Sequence, residues 1–228
     1  MRTSAMFALV VKQSLRLVPL DGIATLSLNS CMGNKSASES AATRNRIVTA
    51  ARALFAAKGF AGATTSEIAR SAGLTEGAFF HHFKDKRTLL TEVVQQIQRE
   101  FAAEVFKYGS AGKDAFDRFI LGARVSLELS QRPEYLRLVL VEAPTVLGGT
   151  TWRQIDSETS LAVLEPALTA IAGGKDISPA KLKPMALMIL GLLNETAFAL
   201  ARGDSGITAD DVIAFLEESI RDWVRRPG

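Results

Sequence analysis

Cysteine and histidine are nearly missing from this chain of 228 residues, which has one cysteine, Cys31, and two adjacent histidines, His81 and His82. One cysteine excludes an internal disulfide and fits a reducing compartment, so a cytoplasmic protein is expected. Nucleophilic or acid–base catalysis needs a clustered histidine, cysteine or carboxylate arrangement. No histidine falls in the C-terminal half and no Gly-rich phosphate loop occurs, so no enzyme and no cofactor is expected. Metal-ligand spacing is missing too: adjacent histidines on a helix point about 100° apart, and there is no third. No unbroken apolar run approaches the ~18–20 residues that span a bilayer, and neither strand patterns nor repeats appear.

What is present is ordinary for a globular protein: 47% hydrophobic and 22% charged residues, enough for a sizeable core. The net charge of +3 is unevenly spread. Residues 32–108 carry eleven basic and seven acidic residues, whereas residues 109–228 carry thirteen basic and sixteen acidic ones. A basic front on an acidic back suggests a polyanion met by the N-terminal half. Residues 1–31, with Lys12 and Arg16 interrupting the apolar stretch, imitate a signal peptide poorly. They are expected to be an upstream extension or tail, with translation starting at Met32.

From Thr43 the pattern is helical. In "TRNRIVTAARALFAAKG", Ile47, Ala51, Leu54 and Phe55 recur at helical spacing, Thr43 is a candidate cap and Gly59 a stop. In "TTSEIARSAG", Thr64 and Glu67 make a capping box, and Gly73 ends the helix after about two turns. Thr75 caps "EGAFFHHF", where Phe79 and Phe83 share a face assigned to the core; Ala78, Phe80, His81 and His82 lie off it. Asp85 caps a long helix through Tyr108, with Leu89, Val93, Ile97 and Phe101 along one stripe. Helix, tight glycine turn, helix is a helix-turn-helix arrangement, whose second helix fits a major groove. A small helical hairpin in a core would show the same periodicity. The N-terminal backbone donors of the second helix, and Lys84, Lys86 and Arg87 after its end, favour phosphate contact.

The spacing of Ile47, Ala51, Leu54, Phe55, Gly59, Phe60, Thr64, Thr65, Ile68, Ala69, Ala72, Gly73, Gly77, His82, Phe83, Lys86 and Leu89–Leu90 resembles the DNA-binding domain of the TetR family of transcriptional regulators. The resemblance implies that Thr65 and Ser66 face the sugar-phosphate backbone. It implies that Thr75, Glu76, Gly77 and Ala78 approach bases, and that His81 and His82 meet phosphate or base edges. Lys86 would clamp a phosphate and Arg44 would add another. Phe80 stands where the family usually has tyrosine, which removes a hydroxyl contact to the backbone. Arg87 replaces a usual acidic residue and is expected to make the DNA-facing corner more basic. His82 also admits a structural role in seating the following turn.

The C-terminal half reads as further amphipathic helices. Pro144 and Gly148-Gly149 are expected to end one, Pro166 to bend another, and Thr208 to cap the last. "EAPTVLGGTTWRQID" with "LNETA" resembles the C-terminal domain of one TetR subgroup and implies a ligand pocket among the middle helices. Arg124, Tyr135, Glu142, Trp152, Asn194 and Glu195 are the pocket candidates, because isolated polar groups in apolar helices are costly without partners. For Asn194 and Glu195 interface hydrogen bonds stand as the alternative, and for Trp152 a place in the core. Leu187, Leu190, Gly191, Leu193, Ala197 and Phe198 offer more apolar surface than one domain face needs, which suggests a homodimer.

The expected fold is therefore all-α: an extension over 1–42, a three-helix helix-turn-helix domain over 43–90, a connecting helix over 91–108, and a ligand-binding and dimerisation domain over 109–228. The expected function is a small-molecule-responsive repressor binding a palindromic operator as a homodimer. A sequence-neutral architectural DNA binder and an all-α enzyme are the competing classes.

Overall fold

The computed structural model describes residues 31–173, 177–203 and 206–225. The expectations for residues 1–30 fall outside that range. Among the described residues every regular element is helical and none is a strand.

The first helix, α1, spans Cys31–Gly62. It thus continues back through residues expected to lie in an irregular extension. Thr43 is not a cap but a mid-helix residue whose hydroxyl donates back to the Glu39 carbonyl at 2.9 Å. Gly59, with φ of 79°, breaks the helix where expected, and one more turn follows.

Two short helices come next, α2 (Thr65–Ser71) and α3 (Glu76–His82), then the long α4 (Lys86–Gly109). Their caps are the predicted ones. Thr64 and Glu67 close a capping box, the Thr75 hydroxyl accepts from the Ala78 amide, and Asp85 accepts from the Thr88 amide. Phe55, Ile68, Phe79, Phe83, Leu89 and Val93 are fully buried among these helices.

Helix α5 (Ala115–Ser130) folds back on α4. Then α6 (Pro133–Tyr135), a π-helical segment (Leu136–Glu142) and α7 (Ala143–Leu147) form one continuous rod. Pro144 therefore does not end a helix. It has no N–H to give, and its ring would meet the Leu140 carbonyl in a regular α-helix; the wider π turns ahead of it relieve that clash. Gly148, with φ of 84°, ends the rod.

Helices α8 (Gly149–Ile171), α9 (Pro179–Arg202) and α10 (Ala209–Arg225) complete the fold. Helix α8 runs through Pro166 without a break. Thr208 and Asp211 cap α10 reciprocally, the Asp211 amide donating to the Thr208 hydroxyl at 3.2 Å. Helix α9 is long and apolar enough to cross a membrane, although Lys181, Lys183 and Glu195 interrupt its apolar run. It is partly buried against α5, α8 and α10.

The buried residues form two cores. One runs from the helix-turn-helix into Tyr135, Leu138, Leu147, Trp152 and Ile155, so no gap in packing marks the end of the helix-turn-helix. The other gathers Phe119, Leu127, Leu168, Ile189, Val212 and Leu216 from α5, α8, α9 and α10.

Candidate nucleic-acid interface

Helix α3 is seated by Phe79 and Phe83, whose rings lie 6.0 Å apart in the core. This seating turns the rest of α3 outward. Thr75, Glu76, Gly77, Phe80 and His81 are exposed, and Ala78 and His82 are half-buried. Phe80 is 51% exposed and stands edge-on to Phe79. About half of this ring is thus left in water on the face that carries His81.

The hydroxyls of Thr65 and Ser66, at the start of α2, both donate to the Glu76 carboxylate, at 2.7 and 2.6 Å. Glu76 is held below its ordinary pKa by these bonds, Ser66 contributing most. The three residues expected to meet DNA thus form one cluster across the mouth of the turn, with the carboxylate on the donors that a phosphate would use.

The cations behave differently from their expected roles. Arg44 pairs through two nitrogens with Glu92, donates to the His82 carbonyl at 2.6 Å and covers the Phe83 ring at 4.0 Å. It ties α1 to α4 and to the end of α3, so its guanidinium is not presented to a phosphate. Lys86 donates to the carbonyls of Phe60 and Ala63 at 2.7 and 2.8 Å and lies over the Phe60 ring. It closes the last turn of α1 and is likewise drawn into the fold. Arg87 donates to the Leu147 carbonyl at 2.8 Å, so it faces the end of α7 rather than a DNA-facing corner. Lys84 remains exposed beside α3. Arg46, not singled out by its spacing, donates to the Ala72 carbonyl and braces the turn between α2 and α3.

A second set of bonds joins this unit to the C-terminal helices. At Gly59 a Cβ would lie 2.7 Å from both Arg137 and Glu142, so these side chains press directly on the backbone there. Arg137 donates to the carbonyls of Ala56 and Ala57, and the Phe60 amide donates to Glu142 at 2.8 Å. Arg52 holds Glu134 through two bonds and Glu100 through a third. Glu142 is therefore a junction residue, held by Arg137 and the Phe60 amide.

Residues 47–93 match the family described as bacterial regulatory proteins, tetR family, and residues 116–221 match the tetracyclin repressor-like C-terminal domain. Together they take in about two thirds of the chain. The chain belongs to the TetR family. It carries the helix-turn-helix and the C-terminal domain of that family. Among its relatives is the HTH-type transcriptional regulator SrpR of Pseudomonas putida, 43% identical over 67 residues, which are 29% of this chain and 32% of SrpR. The chain spans from about a third to two thirds of the length of the first curated relatives it matches. A TetR-family transcriptional regulator from Pectobacterium atrosepticum superposes with a TM-score of 0.69 at 29% identity, over 84% of this chain and 98% of that one. FadR from Bacillus subtilis, solved with stearoyl-CoA, shares the fold at a TM-score of 0.56 and 20% identity, over 78% of this chain and 96% of that one.

In this TetR-family chain the six pocket candidates do not come together. Asn194 donates to a buried carboxylate, Asp156, at 2.7 Å. Tyr135, whose pKa is raised first by burial, is near enough for that carboxylate to raise it further, and Trp152 precedes Asp156 by one turn of α8. Arg124 instead pairs with Asp210 at the surface, on the α10 side of α5. Glu195 is exposed and pairs with Arg202 at 3.5 Å. Two members of the cluster, Gln98 and Asp156, were not among the candidates. Each stood out in one respect: a polar residue on the apolar stripe of an otherwise regular helix, Gln98 beside Ile97 and Asp156 one turn after Trp152.

Proposed function

We propose that the protein is a small-molecule-responsive repressor that acts in the cytoplasm and binds a palindromic operator as a homodimer. The observation that carries this reading is the hydrogen-bonded junction at Gly59. There the last turn of α1, which holds Lys86 and so the start of α4, meets side chains of the π segment. A ligand among the C-terminal helices that shifted this segment would move the helix-turn-helix with it. Such a ligand acts only if it binds the DNA-competent and released forms unequally.

The proposed DNA contacts are the exposed face of α3, namely Thr75, Glu76, Gly77, Ala78, Phe80, His81 and His82, with Thr65 and Ser66 from α2. Arg44 and Lys86 support this face from behind. The units proposed are a helix-turn-helix over residues 43–90, a connecting helix over 91–108 and a ligand-binding and dimerisation unit over 109–228. Pairing is supported by apolar side chains left in water on the last two helices: Leu187, Met188 at 67% exposure, and Phe215. The stearoyl-CoA bound by the FadR relative supports a ligand site in a fold of this kind, without naming the ligand.

Genomic immunoprecipitation followed by titration of operator release against small molecules tests this reading. Bound sites that are inverted repeats, released by a compound whose own affinity falls when DNA is present, are expected. Equal affinity for shuffled duplexes would make the protein a sequence-neutral architectural binder instead.

A further inference from the structure

Asp156 sits on α8 at 4% exposure. Its Oδ2 accepts from Asn194 Nδ2 at 2.7 Å, while Oδ1 is reached only by long contacts of 3.4 Å from Gln98 and Ser160. All three donors are neutral. Among the described residues no ion pair reaches Asp156, and Arg153, the neighbouring cation on α8, is exposed. Burial raises the carboxyl above its ordinary value. Two further groups here lack partners: Gln98 Oε1, an acceptor, and Trp152 Nε1, a donor, on residues only 2% and 7% exposed. Buried polar atoms left unpaired are rare and each calls for an explanation. Aromatic faces adjoin the cluster: Phe101, one turn after Gln98 on α4, stacks on Tyr135 at 4.5 Å, and Trp152 lies one turn before Asp156.

One unpaired acceptor, Gln98 Oε1, beside a carboxyl held only by neutral donors and bounded by aromatic rings, matches a ligand that brings N–H donors and positive charge on a flat apolar body. An anion would meet a carboxyl here without a lysine or arginine to hold it. We propose that this cluster is the recognition site for an aromatic organic cation, an amine or amidine whose N–H groups donate to Asp156 and Gln98 Oε1. Its ring lies against Tyr135 and Trp152, and an oxygen acceptor on it completes Trp152 Nε1. The proposal rests on the ligand-responsive reading only for its consequence at DNA; binding itself is tested separately.

The full chain carrying Trp223→Phe, so that Trp152 alone reports, is titrated with benzylammonium and benzamidinium. Benzoate and benzamide serve as anionic and neutral controls of equal size, and stearoyl-CoA as an acyl thioester. Both cations are expected to quench Trp152 and raise the melting temperature, and benzoate to do neither. Asp156→Asn is expected to weaken both cations about tenfold or more while circular dichroism and the benzamide response stay unchanged; Gln98→Met gives a smaller loss. The site is overturned if the folded protein shows no cation response, or if Asp156→Asn binds the cations as well as the parent. Quenching by benzoate or stearoyl-CoA in their place overturns it too. Operator binding is followed in parallel. Cation binding that leaves the operator complex intact keeps the site and removes the ligand-responsive reading. Release by stearoyl-CoA without cation binding does the reverse.

Discussion

Single side chains around the recognition helix divide by what already holds them. Lys86 gives two N–H bonds to carbonyls at the end of α1, so Lys86→Ala is expected to cost about 1–3 kcal/mol of stability and to lower the melting temperature before any effect on DNA is considered. His81 is exposed, and among the described residues no bond from its imidazole is seen. His81→Ala should change stability by no more than about 0.5 kcal/mol while weakening operator binding, measured by fluorescence anisotropy beside thermal melts. Asp156 has a pKa raised by burial, so its contribution to stability is fully present below the ordinary carboxylate value and is lost as pH rises through the raised one. Asp156→Asn removes that loss, and its new amide can donate to Gln98 if the Gln98 amide turns over. The variant is therefore expected to melt higher than the parent at neutral pH, with the gap closing below about pH 4. A pH-independent gap would mean that the carboxyl is not the titrating group. None of these distinctions was readable from spacing. A lysine followed by an arginine after a recognition helix looks like a phosphate clamp until the end of α1 and the end of α7 arrive from elsewhere in the chain to occupy both.

Helices themselves were the most legible level. Caps at Thr64, Thr75, Asp85 and Thr208, and the stop at Gly59, follow from short-range chemistry and appear as the residues dictate. The rod from Pro133 to Leu147 was not legible, because a π turn is a tertiary accommodation: proline at 144 suggests an end unless the preceding turns can widen. That rod carries Arg137 and Glu142 onto Gly59, which has a positive φ and no room for a Cβ. Gly59→Ala is accordingly expected to destabilise the fold by about 1–3 kcal/mol, read from denaturant midpoints. Arg87→Ala, which releases only the Leu147 carbonyl, should leave operator affinity close to the parent while reducing its response to ligand. Equal coupling in parent and Arg87→Ala would remove that contact from the path between the two sites.

At the scale of the molecule, the all-α architecture and the helix-turn-helix were anticipated by periodicity and glycine placement, whereas the continuity of the core was not. Helices α1 to α4 and the region around Tyr135 and Trp152 share one apolar core, so a disturbance at the buried polar cluster has packed material between it and α3. The surfaces left apolar, Leu187 and Met188 on α9 and Phe215 on α10, lie on the helices chosen from sequence as the pairing face. A two-fold pair would set two copies of α3 one or more groove turns apart and require an inverted repeat. The most direct measurement is the binding of purified full-length protein to inverted-repeat duplexes from its own chromosome. Fluorescence anisotropy at fixed low salt, with light scattering to give stoichiometry, provides the readout. Two chains per duplex, and affinity that collapses when one half-site is scrambled, are predicted. One chain per duplex, or equal affinity for intact and scrambled sites, would contradict the account.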